Sequence, residues 1–547
     1  MGKLHILQHT VLTYEYTPYK EIYWDELTKF VISKYGNQAF DEYNLVDECL
    51  NDCFAFFVDH FESLVSSITN FKFFCYVFKL HEDSLKLMIK DRNKELDLFN
   101  LINESEFASY RRILKIILEQ GSKNELVWGE ISHELIKEFD EIIQRLVYIG
   151  SWIYNIADNI AYHRMLKGAY FITFEDGDLI VHWKNNFGTL LLHLMSHFSK
   201  GYETDVVDQA GTKDLRAILE KCYGINYDQA FGLVFEIQRH HSTNICQTIE
   251  PWLLAHNLKS NFTHLTDNEA NSIYNGLILS RENCLTITET VLKPYSTERF
   301  LLRPYLVYKI NNEKRLLTSV EKFAESMYVL STNAIQWNTL NPEWQENLCL
   351  RNYKTKKGNE HDKHLEDKIQ DIMLKKKIMF SRNIKSLKTN TANNINIDNS
   401  MCGEIDFIII DTNRNQLIVA DSKYNKSRYE AVGYRQDYTN FTSKNEPQLS
   451  RKISWISKNL NIIDQHFKRL YPSSNLDLTT FEVKGIFLIN TPTFYMFCSK
   501  YLTIASNYFE SYISGENIYP DIKIETAPNV FKKYQYPYFI SKTANLL

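Results

Sequence analysis

The chain has 547 residues, 44% hydrophobic and 14% aromatic, with a formal net charge of −5. That length is too great for one ordinary domain and points to about two or three. A pI near 6.4 excludes a general nucleic-acid coat protein, 18 glycines and 11 prolines exclude long disordered linkers, and no apolar stretch is long enough to span a membrane.

In chain order, the first predicted element is a strand around Val11, Leu12, Tyr14 and Tyr16, ended by Pro18. From about 24 to 165 apolar residues recur at helical spacing, as in Phe54, Phe57 and Val58, in Ile113, Ile116 and Ile117, and in Ile142, Ile143, Leu146 and Val147. These stripes read as core faces. Tyr170–Phe174 and Leu179–Trp183 flank Asp176-Gly177, a strong hairpin signal. A second hairpin is expected from Leu306–Ile310 to Arg315–Leu317, turning through Asn311–Lys314. His193 and His197 stand one helical turn apart without the glutamate of a metalloprotease motif, and read as core or interface histidines. His240-His241 is equally thin as a signal. No Gly-rich phosphate loop is present, which argues against an ATP-driven motor.

Beyond about 345 the character changes. Arg351, Lys354, Lys356, Lys357, Lys363, Lys375, Lys376, Lys377, Arg382, Lys385 and Lys388 make a basic segment, followed by an Asn-rich loop from Thr389 to Asn399. Two apolar runs follow, Phe407–Ile410 and Leu417–Ala420, with carboxylates at their ends. Continuous apolar runs suit strands covered on both faces, at the centre of a sheet. Pairing Asp411 with Gln416 leaves Thr412–Asn415 as a hairpin loop, and then Asp406 lies opposite Asp421 and Glu404 opposite Lys423, all on one face. A slip of one residue would send the two sets of charges to opposite faces. Two carboxylates and a lysine gathered at one sheet end suit metal-dependent phosphodiester hydrolysis. The alternative is a solvated hairpin carrying an ordinary surface ion pair.

Asp406, a variable gap, and Asp421-Ser422-Lys423 together resemble the PD-(D/E)xK nuclease superfamily, the group of many restriction endonucleases, RecB-type nucleases and Holliday-junction resolvases. Ile405 stands where the family's name-giving proline would be, and Gly403-Glu404-Ile405-Asp406 is a frequent variant form. The resemblance covers roughly the last third of the chain. It implies a Mg²⁺ ion, with Mn²⁺ able to substitute, held by Asp406 and Asp421 and by the main-chain carbonyl of Ser422. It further implies Glu366, on an upstream helix, as a ligand or positioning group, and Lys423 as partner of the attacking water. Glu404 is an accessory ligand or a rim carboxylate. Gln436 matches the family's downstream helix only in part, because Asn440 sits where the spacing would put a Tyr.

The expected architecture is α+β. A mostly helical domain (1–165) and a mixed helical and hairpin domain (166–345) precede a restriction-endonuclease-like α/β domain with a central mixed sheet (346–547). The expected function is a divalent-metal-dependent endonuclease acting on DNA, with RNA as the other candidate, in bacterial restriction or anti-phage defence by fold-level analogy. A second basic run (Lys426, Arg428, Arg435, Lys444, Arg451, Lys452, Lys458), with Tyr424, Tyr429, Tyr434 and Tyr438 among it, would contact the phosphate backbone. The alternative function is a nucleic-acid-binding or scaffold protein that keeps the domain without catalysis. A homodimer, or a partner held by the N-terminal region, is a further expectation. Nine scattered cysteines, with Cys49 and Cys53 lacking a second pair for zinc, read as free thiols. Together with the absence of a visible signal peptide in residues 1–9, they point to the cytoplasm.

Overall fold

In the computed structural model the described residues are 6–7, 10–11, 19–199, 212–240, 248–389, 394–397, 402–428 and 430–539. Most of the first expected strand, His241, Tyr429 and much of the Asn-rich loop lie outside them. The chain is mixed α+β, helical in its N-terminal region and with a mixed sheet in its C-terminal part. Among the described residues, no helix is long and apolar enough to cross a membrane.

The helical stripes become buried faces. Helices α1 (Tyr43–Ser66), α2 (Phe71–Arg92), α3 (Glu104–Gly121) and α4 (His133–Met165) bury Phe57, Ile113, Ile116, Ile117, Ile143 and Leu146 almost completely. Each starts on a side chain that accepts from free backbone N–H groups: Glu42, Asn70, Asn103 and Ser132. The first hairpin, β1 (Tyr170–Glu175) with β2 (Asp178–Trp183), closes on Asp176-Gly177, both at positive φ, as its Asp-Gly sequence requires. The helix Phe187–Phe198 buries Leu190, Leu191 and Leu194. His193 is exposed rather than in the core, while His197 stacks on Tyr508, an interface role.

The second hairpin, β3 (Tyr305–Ile310) with β4 (Glu313–Leu317), is tighter than expected. Ile310 pairs with Glu313, so only Asn311 and Asn312 turn, both at positive φ, and Glu313 and Lys314 belong to the strand. Asparagine tolerates this backbone, which is why a two-residue loop forms without glycine. β3 separates two apolar cores. Leu306, Tyr308 and Ile310 face the first, which runs from Tyr23 through α1–α4 to Phe539, while Tyr305 and Val307 face the second, built between Leu215 and Leu350. Cys222 and Cys349 are joined by a disulfide (Cα–Cα 5.6 Å) across a separation of 127 residues, which corrects the expectation of free thiols for this pair. Cys49, Cys53, Cys75 and Cys402 are buried free thiols.

The C-terminal sheet has the order β5 (Phe380–Ile384), β6 (Ile405–Asp411), β7 (Gln416–Lys423), β8 (Glu482–Ile489), β9 (Leu502–Ala505). The first three strands are antiparallel, and β8 and β9 add in parallel. Parallel pairing of β7 with β8 requires a long crossover, supplied by α6 (Ala431–Asn440), α7 (Glu446–Lys458) and α8 (Leu460–Leu470). The long helix α5 (Leu348–Lys375) precedes the sheet and buries Leu365, Ile369 and Met373. The apolar runs of β6 and β7 occupy interior positions, with Phe407–Ile410 and Leu417–Ala420 all at most 4% exposed. The region is not packed alone. Asp158 of α4 accepts from the backbone N–H of Ala431 (3.0 Å) and Val432 (3.4 Å), at the start of α6.

Candidate functional site

The β6–β7 hairpin has the register expected from its sequence: Asp411 pairs with Gln416 and Phe407 with Ala420. Asp411 pins it. Its Oδ1 accepts from the N–H of Asn413 (3.1 Å) and Arg414 (3.2 Å), and its Oδ2 takes Arg414 Nε at 2.5 Å. This is the local bonding by which an aspartate sets a turn. With the register fixed, Asp406 and Asp421 share one face at the sheet end, and Phe407 and Ala420 share the other.

Asp421 is 1% exposed. Lys423 Nζ forms an ion pair with its Oδ2 at 2.6 Å. Asp406 Oδ2 accepts from the N–H of Ser422 at 2.7 Å. A residue absent from the expected set completes the group. Lys452, on α7, places Nζ 2.5 Å from Asp421 Oδ1 and 3.4 Å from Asp406 Oδ1. It sits in the buried stripe Leu449, Lys452, Ile456. Gly485 in β8 brings α7 close, since a Cβ there would overlap Ile453 Cδ1. A lysine on an otherwise apolar helix stripe is the signal that identifies it; read as part of a basic run, it looked like a phosphate contact.

The electrostatics separate the two acids. Burial, and then the charge of Asp421, pushes the Asp406 carboxyl up to about 7, against Lys452, Lys423 and the Ser422 N–H. Burial also disfavours ionised Asp421, but Lys423 and then Lys452 outweigh it and hold that carboxyl below its ordinary range. Lys452 is held charged, its burial outweighed by Asp421 and Asp406. The site therefore contains one firmly ionised acid, one poised acid and two ammonium groups.

The other expected residues are placed elsewhere. Glu366 accepts from Arg382, at 2.9 Å from Nη2 and 3.2 Å from Nε. Arg382 lies opposite Phe407 and 5.8 Å from its ring centre, so this pair occupies the sheet face away from Asp406. Glu404 precedes β6, after Gly403 at positive φ, and pairs with Lys385 at 3.3 Å rather than facing Lys423. Gln436 is exposed on α6, whose buried face carries Ala431, Gly433, Tyr434 and Asp437. Asp362, one turn before Glu366, was not anticipated. Burial and then Glu366 raise its carboxyl, and Lys423 acts against them. Among the described residues, no group of three or more His, Cys, Asp or Glu side chains converges as a metal-ligand cluster.

The basic runs are partly spent on internal pairs. Arg382 also binds Asp367, Lys357 binds Asp214 and Glu360, and Arg428 binds Asp437. Lys426 donates to Asn333 O. Lys444, Arg451 and Lys458 remain exposed on or beside α7. A groove of about 520 Å³ between α5 and Ser506–Glu510, lined by His364, Asp367, Asp371 and Asn507 among others, includes none of the residues of the Asp406–Asp421 group.

The chain matches no family model, no curated protein and no solved structure. The reading of the site therefore rests on its own geometry and on the motif resemblance.

A divalent ion fits the donors present. Mg²⁺ binds through one or two carboxylates and fills its remaining positions with water. Asp421 and Asp406 supply two carboxylates whose oxygens already share one cation, the Lys452 ammonium.

Proposed function

We propose that this protein is a divalent-metal-dependent nuclease that hydrolyses phosphodiester bonds, with DNA as its substrate. The observation that carries the reading is the sharing of one cation by Asp406 and Asp421, with Lys423 2.6 Å from the second acid. Two adjoining acids, Asp421 buried and Asp406 half-buried, that already divide one positive charge are arranged as a cation site. Mg²⁺ or Mn²⁺ held there would supply the Lewis acid that polarises the scissile phosphate. Lys423, whose side chain is 23% exposed, hydrogen-bonds the attacking water or a non-bridging oxygen and offsets charge building on the phosphate. Ser422 N–H orients Asp406. Lys444, Arg451 and Lys458 would take backbone phosphates.

A second reading is favoured by one observation: two ammonium groups already neutralise the two acids, and Arg382 occupies Glu366. That pattern also describes a folded-in ion cluster in a nucleic-acid-binding protein without catalysis.

The two readings separate in one assay. Linear, circular and single-stranded DNA are incubated with Mg²⁺, Mn²⁺ or EDTA, using wild-type protein, Asp421→Ala and Lys423→Ala. The nuclease reading expects cleavage by wild type only with metal, reduced by roughly a hundredfold or more in both variants. Cleavage in EDTA, or full activity in both variants, refutes it. Binding without cleavage supports the second reading.

A further inference from the structure

Lys452 stands where a cation captured by the two acids would have to stand. Its Nζ already bridges Asp421 Oδ1 and Asp406 Oδ1 at 2.5 and 3.4 Å. A hard divalent ion on those oxygens sits about 2.0–2.6 Å from them, in the volume the ammonium fills. Nor is the ammonium a stray surface group. Lys452 is 7% exposed, between buried Leu449 and Ile456, on a helix seated against Gly485. Lys423 approaches the other oxygen of Asp421, from a more exposed position, and does not compete for this volume.

We propose that Lys452 is a built-in counter-ion of the Asp406–Asp421 pair, and that a divalent cation enters only by displacing its side chain. The proposal rests on the reading of this pair as a metal site. Without a counter-ion, two adjoining carboxylates repel. Lys452 keeps the pocket formed until metal arrives, and the exchange replaces one cation by another rather than stripping charge from the interior. Once released, an ammonium on a flexible four-carbon stem, next to exposed Arg451, is placed to meet a substrate phosphate. Metal loading and phosphate contact would thus be coupled through one side chain.

The test uses the full-length protein and Mn²⁺ alone, without nucleic acid. Lys452 accessibility is read by brief acetylation with acetic anhydride followed by peptide mass spectrometry, and Mn²⁺ affinity by isothermal titration calorimetry. Saturating Mn²⁺ is expected to raise Lys452 acetylation several-fold in the wild type, and Asp421→Asn to remove both Mn²⁺ binding and that rise. Lys452→Met is expected to bind Mn²⁺ roughly tenfold more tightly, equivalent to about 1.4 kcal/mol, and Lys452→Arg no more tightly than wild type. Asp421-dependent Mn²⁺ binding that leaves Lys452 unreactive, or that Lys452→Met does not strengthen, overturns the displacement while leaving the metal site standing. No Asp421-dependent binding in wild type or in Lys452→Met overturns both. Should Lys452→Met fail to fold, the acetylation of wild type decides alone.

Discussion

His466, on α8, ties β5 to the segment that follows it, and it should make stability depend on pH in a defined direction. The ring is 4% exposed. Its Nδ1 accepts from the N–H of Lys388 at 2.9 Å, which leaves the ring proton on Nε2, 3.0 Å from Ser381 Oγ. A second proton at Nδ1 would face that N–H donor head-on. Burial, and then the charge of Lys388, lowers the imidazole from 6.5 to about 4. The unfolded chain therefore binds a proton near pH 6.5 that the folded protein refuses until about pH 4. The stability contributed by the neutral ring is complete above about 6.5 and is lost as pH falls from there to about 4. At about 1.4 kcal/mol for each tenfold in proton affinity, the loss approaches 3 kcal/mol, as an order of magnitude. His466→Asn keeps an acceptor near the Nδ1 position and removes the titration. Urea unfolding followed by circular dichroism from pH 4 to 7.5 should show wild type losing about 3 kcal/mol more than the variant over that range. Parallel pH profiles for the two proteins would refute the argument.

Asp158→Ala removes the acceptor for the first N–H groups of α6, and should cost about 1–2 kcal/mol and speed hydrogen exchange at 431–434; unchanged exchange there would count against the cap. Glu119 and Arg299 form a buried pair, with Arg299 Nε 2.9 and 3.0 Å from the two carboxylate oxygens and side chains 2% and 4% exposed. Either Glu119→Leu or Arg299→Met should cost about 3–5 kcal/mol, and the double variant less than the sum, by urea denaturation; additive costs would contradict the pairing. Reducing Cys222–Cys349, or replacing Cys222 by Ser, should lower the melting temperature, with a loss of about 2–4 kcal/mol, and reductant should have no further effect on the variant.

Much of the fold was legible because its signals are local. The β6–β7 register follows from two unbroken apolar runs and a loop whose Asp411 bonds to the two residues that turn it. The β1–β2 turn follows from Asp-Gly. The β3–β4 turn was read too long because Asn311-Asn312 adopts positive φ without the glycine that usually marks a two-residue loop. What was not legible depends on partners distant in sequence. Nothing near Glu366 indicates that Arg382 will emerge from an adjoining strand to hold it. The disulfide joins helices 127 residues apart, with no spacing motif. Lys452 lay between these cases. Its place in the stripe Leu449, Lys452, Ile456 was readable as a buried lysine in need of an acid, but which acid it meets is decided by α7 packing against Gly485.

The proposed chemistry requires Asp406 and Asp421 to act as one cation site. Crystals soaked in Mn²⁺ and measured at the manganese absorption edge test this directly. An anomalous peak within coordination distance of both carboxylates, with Lys452 moved off them, is the expected result. A peak only elsewhere, or none while Lys452 still bridges the two acids, would contradict it.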